Sequence, residues 1–224
     1  EDFKTLIENY KVSMHNLAAC GVYVICYNFM PILDWTRTRL DRLMEDGSLA
    51  LEFNATELRV FDLCILNRNN AAADYTLEEI AAAKLQFQNM SDEDIKRVSD
   101  NMLKGLPGSE EGYSIQEFTE MLNTYAGINE DKLRSHLVQF LSEIIPVAEE
   151  LGIRMCIHPD DPPFTLLGLP RVVSTMEDYQ YIFDQVSPLC NGITFCTGSL
   201  GVRVDNDLPA IFTAFADRVH FLHL

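Results

Sequence analysis

Short, continuous apolar runs alternate along this chain with longer stretches whose apolar residues recur at helical spacing. Residues 3–19 bring Phe3, Leu6, Ile7, Tyr10, Met14 and Leu17 near one face, which predicts an amphipathic helix, and Gly21 stands where such a helix stops. Val22 to Tyr27 then reads as a strand, apolar on both faces, as strands buried inside a parallel sheet are. The alternation resumes at Asn129, which caps a helix running to about Leu151 and closed by Gly152. Ile153 to His158 follows as a strand. Ser174-Thr175-Met176-Glu177 has the spacing of a capping box and opens a helix to about Val186. Gly192 to Cys196 is the next strand, Asn206 to Pro209 opens a helix to about Ala216, and Val219 to Leu224 is the last strand.

Residues 40–128 interrupt this order. They contain Met44-Glu45-Asp46-Gly47, alanine runs at 71–73 and 81–83, many acids, and no strand alternation after about Phe61. The segment is expected to be a mostly helical insertion. It follows a strand-end loop directly, where connections beyond about 15 residues are usually functional. It is therefore expected over or beside the face formed by the carboxyl ends of the strands. Strands alternating with helices imply parallel βαβ units, built either as an open doubly wound sheet or as a closed barrel. No G-x-G-x-x-G or phosphate-loop pattern follows any strand, so the nucleotide-binding version has no support.

The chain has 224 residues, 47% of them apolar and 23% charged, which suits one domain with a large core. Its formal net charge of −17 argues against nucleic acid and anionic membrane as partners. An acidic substrate stays compatible if an arginine or a metal ion supplies local positive charge. No apolar run nears the roughly 20 residues of a membrane span, and Glu1-Asp2-Phe3-Lys4 does not read as a signal peptide. Six scattered cysteines with no C-x-x-C pair suit a reduced, cytoplasmic protein.

Chemistry gathers after the strands. The first runs into Tyr27-Asn28, the second ends at His158-Pro159-Asp160-Asp161, the third at Cys196-Thr197-Gly198-Ser199, and the fourth carries His223. In parallel α/β folds the loops at these ends open on one face. Two imidazoles and a thiol from three successive strand ends would suit a divalent transition metal. Taken singly, each has an ordinary packing or hydrogen-bonding role open to it; the coincidence at equivalent positions puts the metal reading on a level with the ordinary one. His220 lies three residues before His223, so alternation turns it the other way, and His15 and His136 lie in helices; all three are given structural roles. Cys156 is set aside for its parity and depth relative to His158. Asp160 and Asp161 could bind metal or substrate, or simply make the turn before Pro162-Pro163. Arg37 could clamp a carboxylate or be a solvated loop arginine.

Longer motifs sharpen the picture. Cys26-Tyr27-Asn28-Phe29-Met30-Pro31 with Asp34-Trp35-Thr36-Arg37-Thr38, Ile157-His158-Pro159-Asp160-Asp161-Pro162-Pro163, Leu167-Gly168-Leu169-Pro170-Arg171, Asn191 to Ser199, Asp205 to Pro209, and His220-Phe221-Leu222-His223-Leu224 resemble the mannonate dehydratase family, in the same order. The resemblance implies a (β/α)₈ barrel of the xylose-isomerase-like kind, represented here by about strands four to seven. It implies dehydration of D-mannonate to 2-keto-3-deoxy-D-gluconate in hexuronate catabolism, with Mn²⁺ or Fe²⁺. The family's metal ligands carry over to His158, Cys196 and His223, and Asn28, Arg37, Asp160 and Ser199 become candidates for binding substrate. A fourth ligand, an aspartate, and the proton-moving groups belong in the family to an Asp-His-Gly-Arg motif and a later tyrosine, which these 224 residues do not contain. A bare set of four strands is expected to leave edges unpaired and to bind metal weakly. A homo-oligomer, dimer or larger, is expected. The alternatives are another metal-dependent sugar isomerase or epimerase of the same barrel superfamily, and an inactive fragment with an incomplete metal site; an endonuclease of that superfamily is disfavoured by the charge.

Overall fold

A computed structural model describes residues 2–33, 35–104 and 113–224. The chain divides into two compact units, one of residues 1–30, 128–164 and 170–224, the other of residues 31–127 with 165–169.

The first unit holds a parallel sheet in the order β1 (Val24–Tyr27), β4 (Arg154–Ile157), β5 (Asn191–Cys196), β6 (Val219–His223). Helices α1 (Phe3–Ala19), α6 (Glu130–Leu151), α7 (Met176–Gln185) and α9 (Leu208–Ala214) alternate with these strands. The short α8 (Thr197–Leu200) follows β5 without a break. The core joins Ile7 and Met14 of α1, Leu137, Leu141, Ile144 and Ile145 of α6, and Ile157 and Ile193 of the sheet, all buried. Each such side chain contributes about 1.5–3 kcal/mol by leaving water. Phe140 of α6 adds ring contacts to Tyr10, Tyr27 and Phe29.

The expected element order is present, with local differences. β1 starts two residues late, because the Val22 amide closes the end of α1 by donating to the Leu17 carbonyl. The cap of α7 is Thr175 with Asp178, not Ser174 with Glu177. The Ser174 hydroxyl is engaged elsewhere, donating to Asp160. Asn129 and Gly152 bound α6 as read from the sequence, Gly152 at φ 69°.

The second unit is built on an antiparallel hairpin, β2 (Arg39–Leu43) and β3 (Leu49–Glu52), then α2 (Ala55–Val60), α3 (Leu77–Asn89), α4 (Asp92–Lys104) and α5 (Ile115–Thr124). The hairpin departs from the helical expectation. Asp46 accepts from the amide and hydroxyl of Ser48, and Gly47 takes φ +84°, so this tight turn folds the chain back on itself. β2 and β3 form a two-stranded sheet separate from the parallel one. The rest of the segment is mainly helical in its described part; the helical expectation for 105–112 lies outside the described residues. Its core collects Leu58, Phe61, Val98, Met102, Phe118 and Leu166. The fully buried Asp62 is satisfied by both forks of Arg68 and by the Tyr75 hydroxyl. A buried carboxylate is tolerated only with such partners.

The parallel sheet has one irregularity, between its last two strands. β5 and β6 pair as Ile193 with Val219, then Thr194 with Phe221, Phe195 with Leu222 and Cys196 with His223. His220 is the extra residue. Its Nε2–H donates to the Leu189 carbonyl at 2.7 Å, and its ring lies where a side chain at position 192 would be. Arg218 ties the same corner by donating to the carbonyls of Ser187, Pro188 and Asn191, with its guanidinium 4.4 Å from the Phe183 ring centroid.

A methyl group on residue 192 would collide with the Arg218 carbonyl and the His220 ring. Gly192→Ala is therefore expected to destabilise the protein by about 1–3 kcal/mol. Urea unfolding followed by circular dichroism measures this, and an unchanged midpoint would contradict the close approach.

Candidate metal centre

The parallel sheet sets three side chains at adjacent strand ends. His158 follows β4, Cys196 ends β5, and His223 ends β6 directly in register with Cys196. The Cys196 sulfur lies 3.3 Å from His223 Nδ1, and one ligand atom from each of the three falls within 4.8 Å of the others. The two imidazoles are 5.8 Å apart, centroid to centroid, tilted by 55°. His158 and Cys196 are buried and His223 is exposed.

The donor set fits a divalent transition ion. Bonds of about 2.0–2.3 Å to one ion leave neighbouring ligand atoms about 3–4 Å apart. The sulfur–nitrogen distance already meets this, and the 4.8 Å bound asks for only a small contraction. His158 Nδ1–H donates to its neighbour's carbonyl, Pro159 O, at 2.7 Å. That bond sets the tautomer and leaves the lone pair on Nε2, the usual arrangement for a ligating histidine. The Ser199 hydroxyl sits 3.4 Å from the Cys196 sulfur and 3.4 Å from Asp161 Oδ2. It thereby links the loop after β4 to the turn after β5.

The other expected site residues are distributed differently. Asn28 is exposed just after β1. Arg37 belongs to the second unit, where its Nη1 donates to the Thr36 carbonyl at 2.8 Å. Asp160 is 1% exposed, and its Oδ2 accepts from the Val173 amide at 2.7 Å and the Ser174 hydroxyl at 3.0 Å. It fastens the strand-end loop to residues 173–174. Burial pushes its carboxyl up to about 6, against the Arg171 charge and these hydrogen bonds, which pull it down.

Depth, not parity, separates Cys156 from the cluster, which corrects half of the expectation. Residues two apart on a strand share a face, so Cys156 and His158 point the same way. Cys156 pairs with Cys26 one layer below the cluster, where the Thr194 hydroxyl donates to the Cys26 sulfur. Burial pushes the Cys156 thiol up to about 12. The Ser199 contact with Cys196 went unread in the sequence, because it exists only where the helical turn of α8 follows β5 without a break.

Cys196→Ser is expected to weaken Co²⁺ binding by more than about 100-fold, while Cys156→Ser leaves it within a few-fold. Titration calorimetry compares them, and equal losses would refute the distinction. Asp160 yields a pH prediction. Its folded value lies above the unfolded one, so the neutral carboxyl favours the fold below about pH 4, and that contribution is lost as pH rises through about 6. Relative to Asp160→Asn, the wild type should lose roughly 2–3 kcal/mol between pH 4 and pH 7. Parallel stability curves for the two proteins would contradict this.

Comparison with known proteins agrees with the geometry. The family model described as D-mannonate dehydratase (UxuA) matches residues 1–224. A mannonate dehydratase of Marinomonas sp. (strain MWYL1) is 51% identical over 223 residues, which is 100% of this chain and 57% of that protein. Mannonate dehydratase 1 of Agrobacterium fabrum (strain C58) is 48% identical over 223 residues, 100% of this chain and 56% of the relative. Among solved structures, the mannonate dehydratase of Streptococcus suis serotype 2 aligns with a TM-score of 0.68 at 32% identity, covering 98% of this chain and 50% of that one. The chain thus spans somewhat over half the length of the curated relatives it matches. With every residue matched by the family model and half of them identical in a curated relative, the chain belongs to the D-mannonate dehydratase family.

Proposed function

We propose that the protein to which this chain belongs dehydrates D-mannonate to 2-keto-3-deoxy-D-gluconate, with Mn²⁺ or Fe²⁺ held by His158, Cys196 and His223. The observation that carries this reading is the convergence of those three ligand atoms from successive strand ends, in a chain of this family. The four-stranded parallel sheet is read as part of a closed (β/α)₈ barrel, whose functional groups gather on the face where the three ligands lie. A cytoplasmic location and a homo-oligomer remain part of the proposal. Among the described residues, no helix is long and apolar enough to cross a membrane.

The reaction removes the proton at C2 and expels the C3 hydroxyl as water, leaving an enol that becomes the 2-keto acid. A bound divalent ion would supply positive charge beside the substrate oxygens, where negative charge develops. The chain's own residues prepare that place. The Pro159 carbonyl holds His158 in the tautomer that presents Nε2. Asn28, exposed after β1, and Arg37 remain the candidates for gripping the sugar acid, Arg37 by bidentate bonds to a carboxylate. The buried Asp160 is better suited to holding the loop than to touching substrate. A thiolate beside two imidazoles is a softer set than Mn²⁺ prefers and favours Fe²⁺ of the two.

The protein, supplied with D-mannonate, is expected to form a 2-keto-3-deoxy acid. Chelation should lower the rate at least about 100-fold, the scale of several kcal/mol of lost charge stabilisation, and Fe²⁺ or Mn²⁺ should restore it. Product identity is read by NMR. A ketose or epimer with no loss of water would favour the isomerase alternative, and keto-acid formation indifferent to chelation would overturn the metal assignment.

A further inference from the structure

We infer that His220 is a positioning residue for the metal centre: it makes the extra step in β6 that brings His223 opposite Cys196. The inference rests on reading His158, Cys196 and His223 as metal ligands. From Ile193 paired with Val219, an unbroken register would run Thr194 with His220, Phe195 with Phe221 and Cys196 with Leu222. The observed pairing skips His220, so Phe221 meets Thr194 and His223 meets Cys196. A slip of one residue turns every following side chain to the opposite face of a strand. Without the skip, Leu222 would face the cluster in place of His223.

Two features hold the skip. His220 Nε2–H donates to the Leu189 carbonyl at 2.7 Å, anchoring the extra residue to the loop before β5. Its ring fills the space left by the absent side chain of Gly192. Such bulges beside functional sites re-aim side chains, and here the re-aimed one is a ligand. The anchor of His220 lies at the start of the β5–β6 pairing and the ligands lie at its end, so His220 acts only through the strand.

Cobalt is the probe, because it reports both its ligands and its affinity. The purified wild-type protein, loaded with Co²⁺, should give X-ray absorption from two imidazoles and one sulfur. His220→Leu keeps bulk but loses the anchoring donor. It should bind Co²⁺ about 10- to 100-fold more weakly, with one imidazole lost and the sulfur kept. His220→Gln can still donate to the Leu189 carbonyl and should recover much of the affinity and the second imidazole. A role in stability alone would lower the melting temperature of His220→Leu without changing the imidazole count, and that result overturns the inference. Wild-type protein with no sulfur on cobalt overturns the metal centre itself and this inference with it. Should His220→Leu fail to fold, a crystal structure of the Co²⁺-loaded wild type decides. The skip at His220 with His223 on the ion supports the inference, and an unbroken register overturns it.

Discussion

The close approach of β6 to Gly192 is the constraint on which the β5–β6 pairing, and with it the place of His223, depends. Because residue 192 has no side chain, the Arg218 backbone and the His220 ring can press against β5. Arg218 is then free to bind three carbonyls of the 187–191 loop, and His220 binds a fourth. Those contacts fix the start of the β5–β6 pairing, and the pairing fixes which residue stands beside Cys196 four positions later. Order is transmitted along the strand from a packed corner to the cluster.

At the other end of the strands the loops are stitched to one another. Asp160 binds residues 173 and 174, and Asn206 donates to the carbonyls of Ser174 and Leu200. Arg203 reaches the Pro163 carbonyl, and Ser199 bridges Asp161 and Cys196. Most of these bonds join segments far apart in sequence, so the strand-end face is a cross-linked surface from which His158, Cys196 and His223 project. Rigid support of this kind lets a binding group keep its direction while waiting for its ligand.

Much of this was legible in the residues, and the rest was hidden for physical reasons. Apolar runs and caps such as Asn129 and Gly152 mark the helices and strands of the parallel sheet, because burial and capping act locally. The trio of His158, Cys196 and His223 was legible because strand ends of a parallel sheet share a face. The hairpin at 39–52 was not read, since its strands are short and carry exposed leucines at Leu43, Leu49 and Leu51 in place of the usual alternation. The true cap of α7 was missed by one residue because Ser174 answers to Asp160, a partner fourteen residues away. The role of His220 could not be read from spacing alone. A skip in register is a property of two strands together.

The layer beneath the cluster bears on which ion the centre would accept. Cys156 lies two residues before His158 on the same face, paired with Cys26. Thiophilic ions such as copper(I) gain most where several thiolates can surround them. Burial raises the Cys156 thiol well above its ordinary range and so disfavours a second thiolate in that layer. Burial thereby makes Cys156 a small apolar packing group of the sheet, in contrast to Cys196 at the strand end above.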